Sequence, residues 1–426
     1  MEATGQEVVT AVPDSDATPT GEVDRAGVHV ARQPILDRDA CVVGYELLFR
    51  APQAEGAQIS DDLHATSAVI VDGLLDVGLF DLVGDSPAYV NVSREFLLDV
   101  RPLALPADRI VLELLDDQPV DDELIEVLRE LHGQGFALAL DHFRFTPHSE
   151  LLLEHVQVVK VDVLEHTGSS LADVVARLRE QRTALTLVAE RVETREEFER
   201  CCELGFDAFQ GFFFARPAHV GRKRMPSEGF GALRTMVELN ATEDFDELGR
   251  IITRDAGLSM RLLRYANSAF VALPRRVGSI HESLSWLGAS SVRRFALMVA
   301  LSGARDVPSE LLVTALVRAR MCQLLCGDCA SADSDSSFTV GLFSVADALA
   351  NAPMQAVVEE LPFREDVAAA LLSGEGRLGE LLHGVIAYQC GDFATAAALL
   401  RSRQSNIEQV YREAVKWADL SFAGLV

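Results

Sequence analysis

Between Val28 and Pro217 the chain alternates eight times between short apolar runs and segments with helical spacing, and this limits the fold more than any other feature. The runs are Val28–Ala31, Val42–Phe49, Ala88–Val92, Arg109–Leu114, Phe136–Asp141, Val156–Asp162, Leu185–Glu190 and Asp207–Phe212. Between most of them, segments such as "DDELIEVLRELHGQG", "SLADVVARLREQR" and "TREEFERCCELGF" repeat apolar residues every three or four positions. Strand and helix in such alternation predict a parallel sheet closed into a barrel. About 190 residues is short for that architecture, so compact helices and loops are expected.

In a barrel of this kind the chemistry collects at the C-terminal ends of the strands. Polar residues interrupt or close most of the apolar runs: Glu46, Asn91, Glu113, Asp141, Lys160 with Asp162, Glu190 and Gln210. Each alone reads more readily as a strand end meeting solvent. Together, in a closed barrel, they converge on one mouth. Carboxylates gathered there repel one another unless protonated or bridged by a cation. Glu46, Glu113, Asp141 and the Asn91 carbonyl would form an oxygen cage for Mg²⁺ or Mn²⁺. Lys160 could neutralise a phosphate or orient a water, and Glu190 could act as a base. Arg50, four residues after Glu46, is either an exposed edge residue or the contact of an anion.

After "GRKRMPSEG" the pattern changes to helical periodicity nearly throughout. The expected organisation is a disordered acidic tail (1–27), a barrel domain (28–217), a linker (218–229) and an all-α domain (230–426). Within the last, Pro308, Pro353 and Pro362 mark helix starts or breaks, and "SADSDSS" (331–337) reads as a polar loop. The formal net charge of −27 opposes binding to nucleic acid or anionic membranes. No run is long and apolar enough to span a bilayer and no secretory signal is evident, so a cytoplasmic protein is expected. The seven cysteines show no disulfide framework. The patch Cys322, Cys326 and Cys329 reads as small apolar residues ending a helix, with a metal or redox site as the alternative.

The motifs resemble, in order, those of the EAL-type cyclic di-GMP phosphodiesterases: "YELLFR" with Glu46, "YVNVS" with Asn91, "LELLD" with Glu113, "ALDHF" with Asp141, "VVKVD" with Lys160, "AERVET" with Glu190 and Glu193, and "QGFFFARP" with Gln210. The resemblance covers essentially all of 28–217. It implies that Glu46, Asn91, Glu113 and Asp141 hold a first Mg²⁺ or Mn²⁺. It also implies that Lys160 and Glu190 serve the attacking water, Gln210 supports the site, Arg50 contacts a ligand phosphate, and such barrels pair as homodimers. The chain departs from the family pattern at His142, where a second Asp would ligate a second metal. It also departs at Leu115, Asp116, Arg144 and Arg191, the last in place of a glycine. Imidazole is a poor Mg²⁺ ligand, and two-metal hydrolysis needs the second cation.

"RIITRDAGLSMRLLRYANSAF" and "SIHESLSWLGASSVRRFALMVAL" resemble the HDOD domain, a relative of the HD phosphohydrolases. No His in the chain is followed by Asp, and only His281 and His383 lie in this half, too few for a metal cluster. Asn267 and Ser268 read as helix-end hydrogen bonders. Arg275, Arg276, Arg293 and Arg294 read as solvated faces. The expected function is a signalling protein. Its degenerate EAL barrel binds metal or cyclic di-GMP with weak or no hydrolysis, and its HDOD domain meets a protein partner. An active phosphodiesterase that opens cyclic di-GMP to the linear dinucleotide is the alternative.

Overall fold

The computed structural model describes residues 29–50, 79–99, 105–115, 119–166, 169–216, 238–239, 242, 244–254, 256–267, 274–289, 291–292, 295–296, 307–326, 331–361, 363–400 and 407–423. The expected tail (1–27) and linker (218–229) lie outside these residues. So do Asp116, Ser268, Arg293, Arg294, Cys329 and Pro362.

Eight strands close into a barrel in chain order. They are β1 (His29–Asp37), β2 (Val42–Arg50), β3 (Ala88–Asn91), β4 (Ile110–Leu115), β5 (Ala137–Asp141), β6 (Val158–Asp162), β7 (Thr186–Glu190) and β8 (Ala208–Gln210). Around them lie α1 (Leu79–Val83), α2 (Arg94–Asp99), α3 (Asp122–Gly133), α4 (Pro147–Leu152), α5 (Ser169–Gln181) and α6 (Arg195–Leu204). Three of these helices, α3, α4 and α6, start at side-chain caps that the sequence supplies. The Asp121 carboxylate accepts from the Leu124 N–H at 2.9 Å, and Thr194 and Glu197 form a capping box.

Two expectations about the sheet are corrected. The barrel is not wholly parallel: β1 runs antiparallel to both β2 and β8. Only four residues join β1 to β2, enough for a hairpin but far too few for a crossover. The first strand also runs on past Ala31 to Asp37, through Pro34. A proline is tolerated there because pairing with β8 begins only at Ile35, so the missing N–H faces no ladder on that side.

The described elements beyond the barrel are helices: α7 (Phe245–Arg254), α8 (Ala256–Ala266), α9 (Ile280–Leu287), α10 (Ser309–Leu325), α11 (Ser331–Phe343), α12 (Ala346–Ala350), α13 (Met354–Glu360), α14 (Glu365–Ser373), α15 (Gly376–Gln389), α16 (Phe393–Leu399) and α17 (Ile407–Ala423). Pro308 and Pro353 directly precede α10 and α13. Asn267 closes α8: its side-chain amide donates to the Leu263 and Val277 carbonyls and its oxygen accepts from the Val277 N–H. The expected loop 331–337 is instead the first half of α11. Ser and Asp are weak helix formers, but Phe338, Val340, Leu342 and Phe343 are buried in the core, and that burial overrides local propensity. Cys322 and Cys326 are buried on α10 as packing residues. Among the described residues they join no His, Asp or Glu in a cluster able to hold a metal.

The β1–β2 hairpin is the part of the barrel wall that these helices bind. Alternation along a strand puts Arg32 and Tyr45 on its outer face. There the Arg32 backbone N–H donates to the Tyr411 hydroxyl at 3.0 Å and its guanidinium makes two bonds to Asp419, at 3.0 and 2.9 Å. The Tyr45 hydroxyl donates to Glu310 at 2.9 Å. On the opposite face, His29 stacks on Phe393, with ring centroids 5.5 Å apart, and meets Tyr388 edge-on.

Candidate functional site

The interior of the barrel follows from the two-residue period of its strands. Ile35, Tyr89, Val111, Ala139, Val158, Val188 and Ala208 form one apolar layer that closes the bottom. Two residues further toward the mouth, on the same face of each strand, stand Gln33, Asn91, Glu113, Asp141, Lys160, Glu190 and Gln210. Gly44 and Glu46 hold the equivalent places on β2. The polar residues that interrupt the apolar runs are therefore one ring of side chains, and the structure brings Glu46, Asn91, Glu113, Asp141, Lys160, Glu190 and Gln210 together.

Lys160 stands at the centre of this ring and is fully buried. Its ammonium lies 2.8 Å from Glu46, 3.0 Å from Glu113, 3.1 Å from Asp141 and 2.9 Å from Glu190. Burial alone would lower its pKa. The surrounding carboxylates, Glu113 foremost, outweigh that and hold it well above the ordinary lysine value. Asn91 Nδ2 donates to Glu46 Oε1 at 3.0 Å, and Gln210 Nε2 donates to Glu46 Oε2 at 2.6 Å and to Gln33 Oε1 at 3.0 Å. Burial pushes the carboxyl pKa of Glu113 and Asp141 up despite the nearby ammonium. Glu190 moves the other way: burial opposes its ionisation, but Lys160 and a hydrogen bond from His142 hold its pKa below the usual range.

The two residues just beyond Asp141 and Glu190 have left-handed backbones, with φ of 51° at His142 and 57° at Arg191. In an extended chain each would point away from the mouth. The turn instead brings His142 Nδ1 to 3.1 Å from Glu190 Oε2. It also lets the Arg191 guanidinium pair with the buried carboxylate of Asp162. The bond to Glu190 raises the His142 pKa to about 9. Arg144, on the same loop as His142, bonds both oxygens of Glu165 at 2.8 and 2.7 Å. That ties the loop after β5 to the segment after β6.

Other expected residues sit further out. Arg50 ends β2 on the same face as Glu46, near His29 and Asp392. Glu193 is exposed and pairs with Arg216 at 2.8 Å. His281 and His383 are exposed residues of the helical half. Gln33 is the site residue that sequence reasoning missed. Its signal was present, two positions before Ile35 in "ARQPIL", but hidden by ending the first strand at Ala31.

The donor set fits a divalent cation. One ammonium has three protons, yet four carboxylates lie within 3.1 Å of it. Glu113 Oε2 is buried and has no hydrogen-bond partner. Buried carboxylate oxygens without partners are costly, and hard cations take such oxygens.

Comparison with known proteins identifies both halves of the chain. The family model described as the EAL domain matches residues 91–217, and that described as the HDOD domain matches 231–361. The cyclic di-GMP phosphodiesterase CdgJ of Vibrio cholerae is 34% identical over 358 residues, 83% of this chain and 83% of that protein. YuxH of Bacillus subtilis is 28% identical over 403 residues, 92% of this chain and 98% of its own. A standalone EAL protein of Vibrio cholerae, solved with cyclic di-GMP bound, aligns with 46% of this chain and 93% of its own at 20% identity and a TM-score of 0.36. Among the described residues no helix is long and apolar enough to cross a membrane. With a barrel of this topology followed by a helical half, and a relative at this identity over 83% of both chains, the chain belongs to the family of proteins that join an EAL domain to an HDOD domain.

Proposed function

We propose that this is a cyclic di-GMP signalling protein whose barrel mouth binds the dinucleotide through a divalent cation, Mg²⁺ or Mn²⁺, and hydrolyses it slowly or not at all. The observation that carries the reading is the ring of Glu46, Glu113, Asp141 and Glu190 around Lys160. Glu46, Asn91, Glu113 and Asp141 would hold the cation. When bound, it would supply charge neutralisation for a phosphate and lower the pKa of a coordinated water.

The remaining chemistry belongs to the chain. Asn91 and Gln210 each donate to one oxygen of Glu46 and fix its plane. Lys160 keeps its proton and holds the carboxylates in register. Glu190 is the base of this site, ionised and close enough to Lys160 to be oriented by it. Arg50, on the rim, would meet a phosphate of the ligand. Slow turnover follows from the occupation of Glu190: His142 donates a hydrogen bond to the oxygen that would accept a proton from water. A misdirected base costs about 10²–10⁴ in rate. In the helical half no group of His, Cys, Asp and Glu among the described residues is placed to hold a metal ion, and this half would meet a protein partner.

A second reading, an active phosphodiesterase that yields the linear dinucleotide, is favoured by the completeness of the ring and by the activity named for the Vibrio cholerae relative. Purified protein incubated with cyclic di-GMP and Mg²⁺ or Mn²⁺ separates the two. The proposal expects binding that Glu46→Ala abolishes and turnover that rises in His142→Asp. Rapid turnover by the unsubstituted protein, lost in Glu46→Ala, would establish the second reading. Absence of binding under every condition would remove both.

A further inference from the structure

Away from the barrel mouth, a cavity of about 330 Å³ lies between the C-terminal end of α10 and the helices α11, α14 and α15. Its lining is graded in burial. Glu375, Gly376 and Arg377 stand exposed at the rim, Leu378 is half-buried, and Leu381 and Ser337 are each 1% exposed at the floor. We propose that this cavity binds a small oxo- or hydroxy-carboxylate, its charged head at the first turn of α15 and its second polar group at Ser337. The site is separate from the carboxylate ring. Helix α15 has 14 residues, about 20 Å of length, and its far end is the one that meets Gln33 through the Cys390 carbonyl.

The sequence "SGEGRLG" builds the rim. The first amides of a helix have no partner within it, and the helix dipole favours an anion there. Glu375, the N-cap of α15, makes no side-chain cap. The N–H groups of Gly376 and Leu378 therefore have no acceptor among the described residues. A Cβ at Gly376 would meet nothing within 4 Å, so a ligand can approach this backbone closely. The Arg377 guanidinium donates to the Cys326 carbonyl at 3.3 Å, which holds its charge at the cavity wall. Backbone N–H groups beside a guanidinium suit a carboxylate.

Ser337 points to a ligand independently of the helix end. Its hydroxyl is buried without a hydrogen-bond partner, and the residue lines this same cavity. Native structures leave few buried hydroxyls unpaired, because doing so costs free energy. A ligand carbonyl or hydroxyl would satisfy it. Between rim and floor, Ala369, Leu378 and Leu381 offer apolar surface to a short carbon chain. Charge selects the head group. Asp366 and Glu375 also border the cavity. Arg364 bonds both oxygens of Asp366, at 3.1 and 2.8 Å, but Glu375 adds a negative charge that a phosphate dianion would face. A carboxylate carries one charge, which Arg377 and the helix end balance.

The test titrates the full-length protein with levulinate, valerate and methyl propyl ketone, three chains of equal length. Levulinate has both polar groups, valerate only the carboxylate and the ketone only the carbonyl. Saturation-transfer NMR and calorimetry read the affinities. Levulinate should bind about tenfold or more tightly than the ketone and about threefold to tenfold more tightly than valerate. Ser337→Ala should erase the preference over valerate without lowering the melting temperature, since the hydroxyl it removes has no partner in the protein. Ala369→Phe fills the cavity and should abolish binding, whereas Glu46→Ala in the barrel should bind like the unsubstituted protein. No saturable binding of levulinate, equal binding of the ketone, or a preference over valerate that survives Ser337→Ala would each overturn the proposal. A lowered melting temperature in Ser337→Ala would assign the hydroxyl a structural role and overturn it as well.

Discussion

Gln33 Nε2 donates to the Cys390 carbonyl at 3.2 Å, while Gln33 Oε1 accepts from Gln210, the residue that also donates to Glu46. Hydrogen bonds thus run from the carboxylate ring to the corner between α15 and α16. Gln33→Leu removes the centre of that chain and leaves the Cys390 carbonyl and one Gln210 N–H without partners. A loss of about 1–3 kcal/mol in unfolding free energy is expected, measured by urea denaturation. An unchanged midpoint would show that water replaces these bonds freely.

Lys160→Met leaves four carboxylates facing one another in a buried ring. Removing one member of a buried charge network costs about 3–5 kcal/mol, so the metal-free variant should melt well below the unsubstituted protein. A divalent cation that takes the place of the ammonium binds the variant more tightly than the unsubstituted protein, and each tenfold difference in dissociation constant returns about 1.4 kcal/mol to the variant at saturating metal. Thermal unfolding with chelator and with excess Mn²⁺ tests this. The gap between variant and unsubstituted protein should narrow with the metal, and a gap that stays constant would count against a cation in the ring.

Much of this arrangement was legible in the sequence because the strand period is short and strict. A carboxylate two residues after an apolar plug, repeated on successive strands, can point only one way once the barrel closes. Glu113 after Val111 and Asp141 after Ala139 are examples. What stayed hidden depends on distant partners. Pro34 masked the length of β1, and with it the place of Gln33. The serines of α11 read as a loop until Phe338 and Phe343 found their core. Arg32 and Asp419 are 387 positions apart, and no local pattern announces their pairing.

Glu310 gives the interface between barrel and helices a pH dependence. Burial raises its pKa to about 7, against the pull of Arg32 and the Tyr45 hydroxyl and with the help of Asp419; Tyr411 lies in the same cluster. A raised carboxyl pKa means that the folded state holds the proton more tightly than the unfolded one. The contribution is complete below about 4.5, declines as pH rises, and is gone above about 7. Glu310→Gln removes it. The variant should therefore gain on the order of 2 kcal/mol relative to the unsubstituted protein between pH 5 and pH 8. Parallel denaturation curves at the two pH values measure the difference, and a constant offset would refute it.

Gly211 follows Gln210 with φ of 144°, and a Cβ there would lie 2.0 Å from the Val192 carbonyl oxygen and 2.6 Å from its nitrogen. Both obstacles are backbone, and both are fixed: the Val192 N–H donates to the Gln210 carbonyl at 3.0 Å and its carbonyl accepts from the Phe213 N–H at 3.2 Å. Gly211→Ala must displace the loop after β7 or that after β8, at a cost of about 3 kcal/mol or more. Gly84→Ala is the control. It also has positive φ but meets nothing within 4 Å, and should lose only about 1–2 kcal/mol. Equal losses in the two variants would place the cost in backbone conformation alone.

Arg191→Gly sets two effects against each other. Glycine relieves the left-handed backbone, a gain of about 1–2 kcal/mol. The same change strips the partner from Asp162, whose side chain is only 5% exposed. Losing the partner of a buried charge costs about 3–5 kcal/mol. The arginine side chain is half exposed, however, so solvent screening cuts that figure to roughly 2–3 kcal/mol. The pair wins by about 1 kcal/mol, and Arg191→Gly should be the less stable protein without metal. Added Mg²⁺ should restore more stability to this variant than to the unsubstituted protein, because a released Asp162 adds a carboxylate oxygen to the rim. Chemical denaturation with and without Mg²⁺ checks both statements. A variant more stable than its parent in chelator would show that strain at Arg191 outweighs its ion pair.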